Sequence, residues 1–526
     1  MKIRITNLVA ELNDERKLEE LVAARLKVLP KKILGVKLVR KAIDARRYRG
    51  AGIKFNYIVD AEISPKTKFA NSNGVKKIID GERIFSARIS KDFRHPVVVG
   101  FGPAGMFAAL TLAKAGFAPI IFERGADVDS RTSAIEKFFK TGVLDVRSNV
   151  QFGEGGAGTF SDGKLTTRLN DPLIDEVLKI FVEAGAPQEI LFLQKPHIGT
   201  DKLREVVKNI RKKILSLGGK IFFNAQMTDF EFGANGKISG VIVNDEEKFL
   251  TDAVFFGVGH SARDTYEMLI SRGVAMEQKN FAIGVRIEHP QEFIDFAQFG
   301  EDFRNPKLPA ADYLLTFKDE QTGRGAYNFC MCPGGQVVAA ASEVGRVVTN
   351  GMSNFLRDSG VANSALLVTV GAEDFKNFGA DVLAGMRFQR HYEELAFKFG
   401  GENYFAPVQA VGDFLNGRVG TKNFLVKPSY PVGITYADLH ECLPSEVSKT
   451  LENALRFFDN KIKNFSVYDV PLTGVETRTS SPCRILRDKK TYESISTPGL
   501  FPIGEGAGYA GGIMSSAIDG MKAVLS

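Results

Sequence analysis

The chain has few cysteines and no long apolar run. Four cysteines in 526 residues are too few for a disulfide framework and are typical of a reducing compartment. No apolar run reaches the roughly 18 residues that a membrane-spanning helix needs. The first residues lack the apolar core of a signal peptide. We therefore expect a cytoplasmic protein without a membrane span.

The sequence also lacks internal repeats and low-complexity segments, and its charge is uneven. Residues 1–95 hold 23 Lys and Arg against 11 Asp and Glu, a net charge of +12, whereas the remaining residues carry −5. Such a segment can bind an acidic partner or RNA. It is equally a feature of a small domain with solvated basic side chains. We favour the second interpretation and do not expect a nucleic-acid partner.

The length and the changes of pattern along the chain predict several domains. The first segment predicts a small α/β unit of order β-α-β-β with its helix over residues 15–29, and it contains no motif for chemistry. The later mixed pattern predicts a domain inserted into another. The expected segments are a small N-terminal domain (1–92), a dinucleotide-binding domain (93–280 and 485–526) and an inserted substrate domain (281–484).

The stretch 96–125 predicts a dinucleotide-binding unit. A short apolar strand, the pattern Gly100-x-Gly102-x-x-Gly105, a helix and a second strand ending at Glu123 follow in that order. Gly100 permits a tight turn, Gly102 admits a pyrophosphate and Gly105 lets helix and strand pack closely. The helix N-terminus attracts phosphate, and the acid accepts from a ribose hydroxyl. This order predicts adenine-dinucleotide binding.

Three further stretches contain glycine patterns. Residues 151–165 form a glycine-rich loop that can wrap a flat or phosphorylated ligand. Near the C-terminus, Gly504-Glu505-Gly506 follows a strand, and Gly511-Gly512 opens a helix that attracts electron-rich groups. A Gly-x-Gly pair at 257–259 also follows a strand-like run, but no acid ends a following strand. We interpret that run as the strand that returns the chain to the sheet edge.

Two glycine-rich, helix-opening segments joined by an inserted domain resemble the glutathione-reductase-like flavoproteins, over about 96–280 and 485–526. More narrowly, the chain resembles the bacterial FAD-dependent dehydrogenase family through the motifs G-G-A-G-T-F-S-D-G-K-L, F-G-V-G-H-S-A-R-D-T, F-C-M-C-P-G-G and V-E-T-R-T-S-S-P. The resemblance implies an α/β fold with a Rossmann-like FAD-binding domain, an inserted mixed α+β domain and a small N-terminal domain. It implies FAD as the cofactor and does not identify the substrate.

The resemblance also implies which residues contact FAD. The ADP half would be held by Gly100, Gly102, Pro103, Ala104, Gly105 and Glu123. Met227 corresponds to a position that touches adenine through its backbone. Glu505, where Asp is more frequent, would accept from a ribityl hydroxyl. The flavin O2 end would meet Gly512, Ile513 and Met514. We also expect Gly511 to contact FAD. We further expect FAD contacts from Arg124, Gly156, Thr159, Ser161, Asp162, Gly163, Lys164, Gly259 and Gly504.

Candidates for catalysis carry two interpretations each. Cys330 and Cys332 are typical of redox thiols beside a flavin or of small buried hydrophobes, and C-x-C in a strand points both sulfurs to one face. Arg286 and Arg478 can bind an acidic substrate or form structural ion pairs, which is the commoner use. His260 can exchange protons near neutral pH or bind beside the cofactor. Without a nearby pair of histidines, we expect no metal site.

The reaction class implied is hydride transfer between a small-molecule substrate and flavin N5, with a redox partner as a further candidate. Two alternatives remain. One is a flavoprotein that acts on RNA through the basic N-terminal segment, and the other is a non-catalytic flavin-binding protein. Since no second dinucleotide fingerprint is present, we expect slow reduction by NADH or NADPH alone.

Overall fold

The N-terminal strands form a four-stranded antiparallel sheet. The computed structural model describes residues 1–46, 52–65, 67–69, 73–78, 93–234 and 236–526, so the predicted boundary at residue 92 lies outside the described residues. The first elements are β1 (Lys2–Glu11), α1 (Leu18–Leu26), β2 (Ile33–Asp44), β3 (Lys54–Ile63) and β4 (Val75–Lys77). The strand order is β2-β3-β1-β4, and apolar residues of α1 pack on one face. The helix ends early because Lys27 takes a left-handed conformation with φ 57°.

The next part alternates strands and helices around the fingerprint. Its strands are β5 (Val97–Val99), β6 (Ile120–Phe122), β7 (Lys220–Phe222), β8 (Met227–Phe232), β9 (Ile238–Val243), β10 (Glu247–Leu250), β11 (Val254–Phe256) and β12 (Met276–Gln278). Its helices are α2 (Pro103–Lys114), α3 (Val128–Thr141), α4 (Leu173–Glu183), α5 (Thr200–Ser216) and α6 (Arg263–Ser271). Helix α2 begins at Pro103, whose missing N–H costs nothing in the first turn.

The segment 281–484, called the cap from here on, holds a second mixed set of elements. Its strands are β13 (Phe281–Pro290), β14 (Thr316–Lys318), β15 (Gly325–Cys332), β16 (Gly335–Ala339), β17 (Thr349–Ser353), β18 (Val361–Val370), β19 (Ala406–Ala410), β20 (Ile434–Tyr436) and β21 (Pro471–Glu476). Its helices are α7 (Gln291–Phe299), α8 (Ala372–Phe375), α9 (Ala384–Phe399), α10 (Val411–Leu415) and α11 (Ser445–Lys461). The chain then ends with β22 (Cys483–Ile485), β23 (Leu500–Pro502) and α12 (Ile513–Leu525).

A five-stranded parallel sheet carries the fingerprint. Its order is β23-β11-β5-β6-β7, and each neighbouring pair is parallel. Because β23 pairs with β11 although the whole cap separates them in sequence, the cap is an insertion. Strand β11 is internal rather than the edge strand we expected, since β23 takes its outer side. The parallel sheet with inserted and N-terminal units confirms the predicted α/β fold class.

The cap is built on a seven-stranded sheet of order β14-β15-β18-β13-β21-β19-β20. Its neighbours are antiparallel except β19 and β20, which are parallel. Strands β13 and β21 are buried along nearly their whole length, and β13 carries the predicted site residue Arg286. Three N-terminal side chains, Leu12, Ile53 and Phe55, belong to the same apolar core as the cap. The N-terminal sheet is thus packed on the cap and does not stand apart from it.

Candidate functional site

One cavity opens at the carboxyl ends of four parallel strands. Residues that follow β5, β6, β11 and β23 all line it, and this edge is where open α/β sheets bind their ligands. Its volume is about 360 Å³, within the range of cofactor and small-molecule sites. The cap contributes Phe329, Cys330, Asn350, Glu476, Arg478 and Thr479 to the same cavity.

Most of the predicted FAD contacts line this cavity. Those that do are Gly100, Gly102, Pro103, Ala104, Glu123, Arg124, Gly156, Ser161, Asp162, Gly163, Lys164, Met227, Gly259, Glu505, Gly511, Gly512 and Ile513. They come from three separate glycine-rich stretches and from the ends of different strands. The fold therefore brings residues more than 400 positions apart, such as Gly102 and Gly511, to one cavity.

The three fingerprint glycines differ in what surrounds them. Gly100 has φ +88°, and a Cβ there would overlap the Gly257 carbonyl group. A Cβ on Gly105 would overlap the Gly100 carbonyl oxygen, so these two positions need glycine for close backbone packing. A Cβ on Gly102 would meet only Gly156 among the described residues, with its Cα 3.6 Å away. Gly102 therefore leaves space open on the cavity side, as a bound pyrophosphate requires.

The carboxylate of Glu123 is held in place by the backbone around it. It is buried and accepts hydrogen bonds from the N–H groups of Phe101 (2.8 Å), Gly125 (3.0 Å) and Gly153 (3.0 Å). A carboxylate has roughly four acceptor positions, so about one is left for a ligand hydroxyl. This fixed orientation at the end of β6 suits a ribose contact.

A buried arginine that we did not predict holds the glycine-rich loop 151–165. Arg131, on α3, is fully buried. Its guanidinium donates to the backbone carbonyls of Asn149, Val150, Gly153, Glu154 and Gly156. A signal was present in the sequence, because Arg131 lies on the same helical face as the apolar Val128 and Ile135. A charged residue on such a face must find partners inside the protein.

The C-terminal glycines Gly511 and Gly512 leave free space in the cavity next to the first turn of α12. A Cβ on Gly511 or Gly512 would meet no atom of the described residues within 4 Å. The adjacent Glu505 carboxylate receives no hydrogen bond from the described residues, and burial raises its pKa to about 7. An unengaged acid beside an open helix N-terminus provides hydrogen-bonding capacity for a polyhydroxylated ligand.

Four predicted FAD contacts do not line the cavity. Gly105 and Gly504 serve packing instead, since a Cβ on Gly504 would lie 2.6 Å from the Ala104 Cβ. The Thr159 side chain is 1% exposed, and it lies against Gly155 within the loop. Met514 is also 1% exposed and packs in the core beside the parallel sheet. Tight packing encloses these four positions, and the prediction that they contact FAD stays a prediction.

Two predicted catalytic residues are likewise enclosed. Arg286 is fully buried, and its five N–H groups are occupied by Glu476, Asn350, Asn363 and the Cys330 carbonyl oxygen. It therefore has no donor left for an acidic substrate. Cys332 is 0% exposed, whereas Cys330 lines the cavity. A bulge interrupts the pairing of β15 with β18 between Phe329 and Cys332, so the regular alternation on which we based a shared face for both sulfurs does not hold here.

The other two catalytic candidates, Arg478 and His260, line the cavity, but neighbouring groups restrict what each can do. Arg478 binds Glu393 through Nε and Nη2 and donates to Ser342 through Nη1, so its main role is a buried ion pair. Burial, together with nearby Arg478 and Arg263, lowers the pKa of His260 to about 3. His260 is therefore neutral near pH 7, and its role in proton exchange stays a prediction.

Lys164 belongs to a buried polar cluster at the cap side of the cavity. Its ammonium group pairs with Asp162 (2.9 Å) and donates to the Met331 carbonyl oxygen. Asp162 also binds Arg357 (2.6 Å) and Ser353. Despite burial, which acts in the opposite direction, Lys164 and Arg357 hold the pKa of Asp162 well below its usual range. Two cations share this one carboxylate, so the cluster has a positive excess at the cavity wall.

The cavity has the features that a bound FAD requires. Gly102, Gly511 and Gly512 leave space where other residues would place a Cβ, and helices α2 and α12 present N-terminal N–H groups there. Glu123 and Glu505 offer acceptors for hydroxyl groups. The fold and the cavity together define an α/β dinucleotide-binding protein with an inserted cap.

Comparison with known proteins narrows this class. Residues 280–479 match the family "FAD-dependent protein, C-terminal domain-like", and residues 2–62 match a domain of unknown function. An "Uncharacterized protein" of Clostridium beijerinckii is 50% identical over 99% of this chain and 98% of its own length. The chain belongs to the same family as this relative, and it carries the C-terminal domain of FAD-dependent proteins. FAD is the cofactor of this chain.

Solved structures show more distant likenesses. A glycerol-3-phosphate dehydrogenase from Bacillus halodurans, complexed with FAD, is 12% identical, with 83% of this chain and 65% of that chain covered and a TM-score of 0.35. An L-amino acid deaminase from Proteus myxofaciens is 10% identical, with 84% and 92% covered and a TM-score of 0.33. No activity follows from likenesses at this level. In the described part of the chain, the helices are all too short or too polar to span a bilayer.

Proposed function

We propose that this protein is a FAD-dependent oxidoreductase that exchanges a hydride with a small-molecule substrate bound between the parallel sheet and the cap. The observation that carries this proposal is the shared cavity, to which the glycine-rich segments contribute one side and polar cap residues another. Bound FAD would supply the two-electron acceptor or donor. The segments 1–92, 93–280, 281–484 and 485–526 remain our proposed domains, and the pairing of β22 with β12 supports a chain return near residue 484.

The chain's own residues would bind and orient the two ligands. We assign the ADP half of FAD to the first turn of α2 with Gly102 and Glu123, and the flavin to Gly511, Gly512 and Glu505. The cap residues then form the substrate wall, since Cys330, Asn350 and Thr479 are cap residues on this cavity. Ion pairs such as that between Arg286 and Glu476 keep the wall rigid rather than contacting substrate.

The direct test is reduction of the bound flavin by substrates. The purified protein should show a flavin spectrum with about one FAD per chain, and small molecules that copurify should be identified by mass spectrometry. Each candidate is then mixed anaerobically with the protein while the flavin absorbance is followed. Saturable bleaching by one compound class is the expected result. A protein that holds FAD, is reduced by dithionite and yet exchanges electrons with no metabolite or partner would instead be a non-catalytic flavin binder.

A further inference from the structure

Among the described residues, the cap contributes one acid to the wall of the FAD cavity, and that acid is already paired. The acid is Glu476, and both of its carboxylate oxygens accept hydrogen bonds from the buried guanidinium of Arg286. Because the two opposite charges compensate each other, this ion pair adds no net charge to the wall. The net charge on this side of the cavity therefore comes from other groups.

Lys164 supplies a positive charge that is only partly compensated. Its ammonium group pairs with Asp162 at 2.9 Å and donates to the carbonyl oxygen of Met331, in strand β15 of the cap. Arg357 binds the same carboxylate through two hydrogen bonds, of 3.0 and 2.6 Å. Although burial acts in the opposite direction, Asp162 raises the pKa of Lys164, so the ammonium stays charged. Two cations and one anion leave one positive charge beside the cavity.

The hydrogen-bonding groups left free on this side of the cavity can all donate. Lys164 has three N–H bonds, of which the contacts described above use two. The amide oxygen of Asn350 accepts from Arg286 (3.0 Å) and from the Gly351 N–H (2.8 Å), which leaves its NH2 group without a partner among the described residues. The hydroxyl group of Thr166 lines the same cavity and likewise has no partner in the described part of the chain. A ligand here must therefore offer acceptors.

We propose that this side of the cavity binds the carboxylate group of an organic-acid substrate. A carboxylate carries one negative charge and only accepts hydrogen bonds, which matches one uncompensated cation among free donors. A phosphate monoester carries about −1.5 to −2 charges at pH 7, more than this cation balances. Phe329, which is 39% exposed on the same wall, offers an apolar surface to the carbon skeleton. The inference rests on the proposed function, since it assumes that substrate and flavin share the cavity.

The FAD pyrophosphate is the other anion that this cavity has to hold. We assign it to the first turn of α2 beside Gly102, where helix N–H groups are available. Lys164 is bound to a strand of the cap instead, so we assign its free N–H to the substrate side. Lys164 also remains a predicted FAD contact, and the experiment below separates these two uses of its charge.

Calorimetric titration of the oxidised, FAD-loaded protein at pH 7 tests the proposal. The probes are acetate and benzoate, their neutral isosteres acetamide and benzamide, and phenyl phosphate. We expect benzoate to bind at least about tenfold more tightly than benzamide, and more tightly than acetate or phenyl phosphate. Equal affinity for benzoate and benzamide, no binding of either carboxylate, or tighter binding of phenyl phosphate would overturn the proposal.

Variants of the cation complete the test. Lys164→Met should raise the benzoate dissociation constant at least about tenfold and leave benzamide binding unchanged, whereas Lys164→Arg should recover part of the loss. Lys248→Met is the matched control, because Lys248 pairs with Glu231 on the surface. Unchanged benzoate affinity in Lys164→Met would overturn the proposal.

The FAD affinity of each variant is measured in parallel by flavin fluorescence. We expect Lys164→Met to keep FAD, and a folded variant that loses it would assign this charge to the cofactor and overturn the proposal. If Lys164→Met does not fold, the preference of the wild-type protein for benzoate over benzamide decides. Since binding is measured on the oxidised protein, the outcome is independent of whether any compound reduces the flavin.

Discussion

At the scale of single residues, Arg131 shows how a charge buried in the protein interior can shape a cofactor site. It donates no hydrogen bond to a carboxylate of the described residues and donates only to backbone carbonyls of residues 149–156. Its guanidinium also lies over the Phe160 ring at 4.7 Å. The planar, forked donor set of arginine suits several carbonyls at once, which lysine cannot match. Arg131 is thus a positioning residue for the loop beside the FAD cavity.

Replacing Arg131 should weaken FAD binding. We expect Arg131→Met to raise the FAD dissociation constant by at least about tenfold, because several loop carbonyls would lose a charged donor. Arg131→Lys should recover only part of this loss. The dissociation constants are measured by titrating apoprotein with FAD and following flavin fluorescence. Arg272→Met is the matched control, since Arg272 forms an ion pair on the surface with Asp229. Unchanged affinity in folded Arg131→Met would refute the positioning role.

At the scale of elements, the strand–turn–helix unit of β5 and α2 contains glycines with two different roles. Gly100 and Gly105 are needed for folding, whereas Gly102 is needed for binding the ligand. Gly105 packs against the Gly100 carbonyl, whereas Gly102 has free space towards the cavity. This division predicts two different failures. Gly105→Ala should lower the free energy of unfolding by more than about 3 kcal/mol, through overlap in a packed interior. Gly102→Val should instead abolish FAD binding with much less loss of stability.

The measurement compares both variants by thermal denaturation of the apoprotein and by FAD content after purification. Wild-type apoprotein is the reference for stability. Gly116→Ala is the control, because a Cβ at this position would meet no atom of the described residues within 4 Å. Because Gly116 has φ +91°, a small cost of about 1 kcal/mol is expected in that control. A Gly102→Val protein that folds and retains full flavin colour would show that the pyrophosphate lies elsewhere.

The same element explains what could be predicted from the sequence. The fingerprint has local spacing rules, so Gly100, Gly102, Gly105 and Glu123 were found without a structure. The face of Cys330 was not predictable by alternation, because a bulge with φ 42° breaks the period of two.

Contacts between residues far apart in sequence explain the remaining differences between the predicted site and the structure. Arg286 could be an acid-binding residue by its type, and only the fold shows that Glu476, Asn350 and Asn363 already occupy its donors. These partners lie far away in sequence and have no spacing rule relative to Arg286. Thr159 is enclosed for a similar reason, since its side chain is 1% exposed and its hydroxyl group packs against Gly155 within the loop. The type of a side chain therefore predicts its chemistry better than it predicts whether a ligand can reach it.

At the scale of the whole molecule, the basic N-terminal segment is part of the cap's support. Leu12, Ile53 and Phe55 are buried in the same core as cap residues, and the Lys307 ammonium binds the Leu12 carbonyl oxygen at 3.1 Å. The backbone of Lys41 also exchanges hydrogen bonds with residues 192–194. None of the described N-terminal residues lines the FAD cavity. Any effect of the N-terminal segment on FAD would therefore be indirect, through the packing of the cap and of residues 192–194.

The arrangement of the two larger units also bears on the electron donor. In the part of the chain that the structure describes, one sheet is wholly parallel, and its strand ends surround a single large cavity. The second glycine pair, Gly257 and Gly259, lines that same cavity and is therefore committed to the FAD site. The cap sheet is antiparallel apart from the parallel pair β19 and β20, and the segment between these two strands contains no Gly-x-Gly-x-x-Gly pattern of the kind that nicotinamide-binding domains use. A separate dinucleotide site has no evident place in the described residues.

We therefore expect NADH and NADPH to reduce the flavin slowly, well below the usual turnover range of about 1–1,000 per second. Stopped-flow mixing under anaerobic conditions measures this as the loss of flavin absorbance over a series of nicotinamide concentrations. Dithionite serves as the control, because full reduction by it shows that the flavin can accept electrons. Saturable reduction by either nicotinamide within that range would require a second nucleotide site. The search for that nucleotide site would begin with the cap residues around Cys330, since a hydride donor must reach the same cavity.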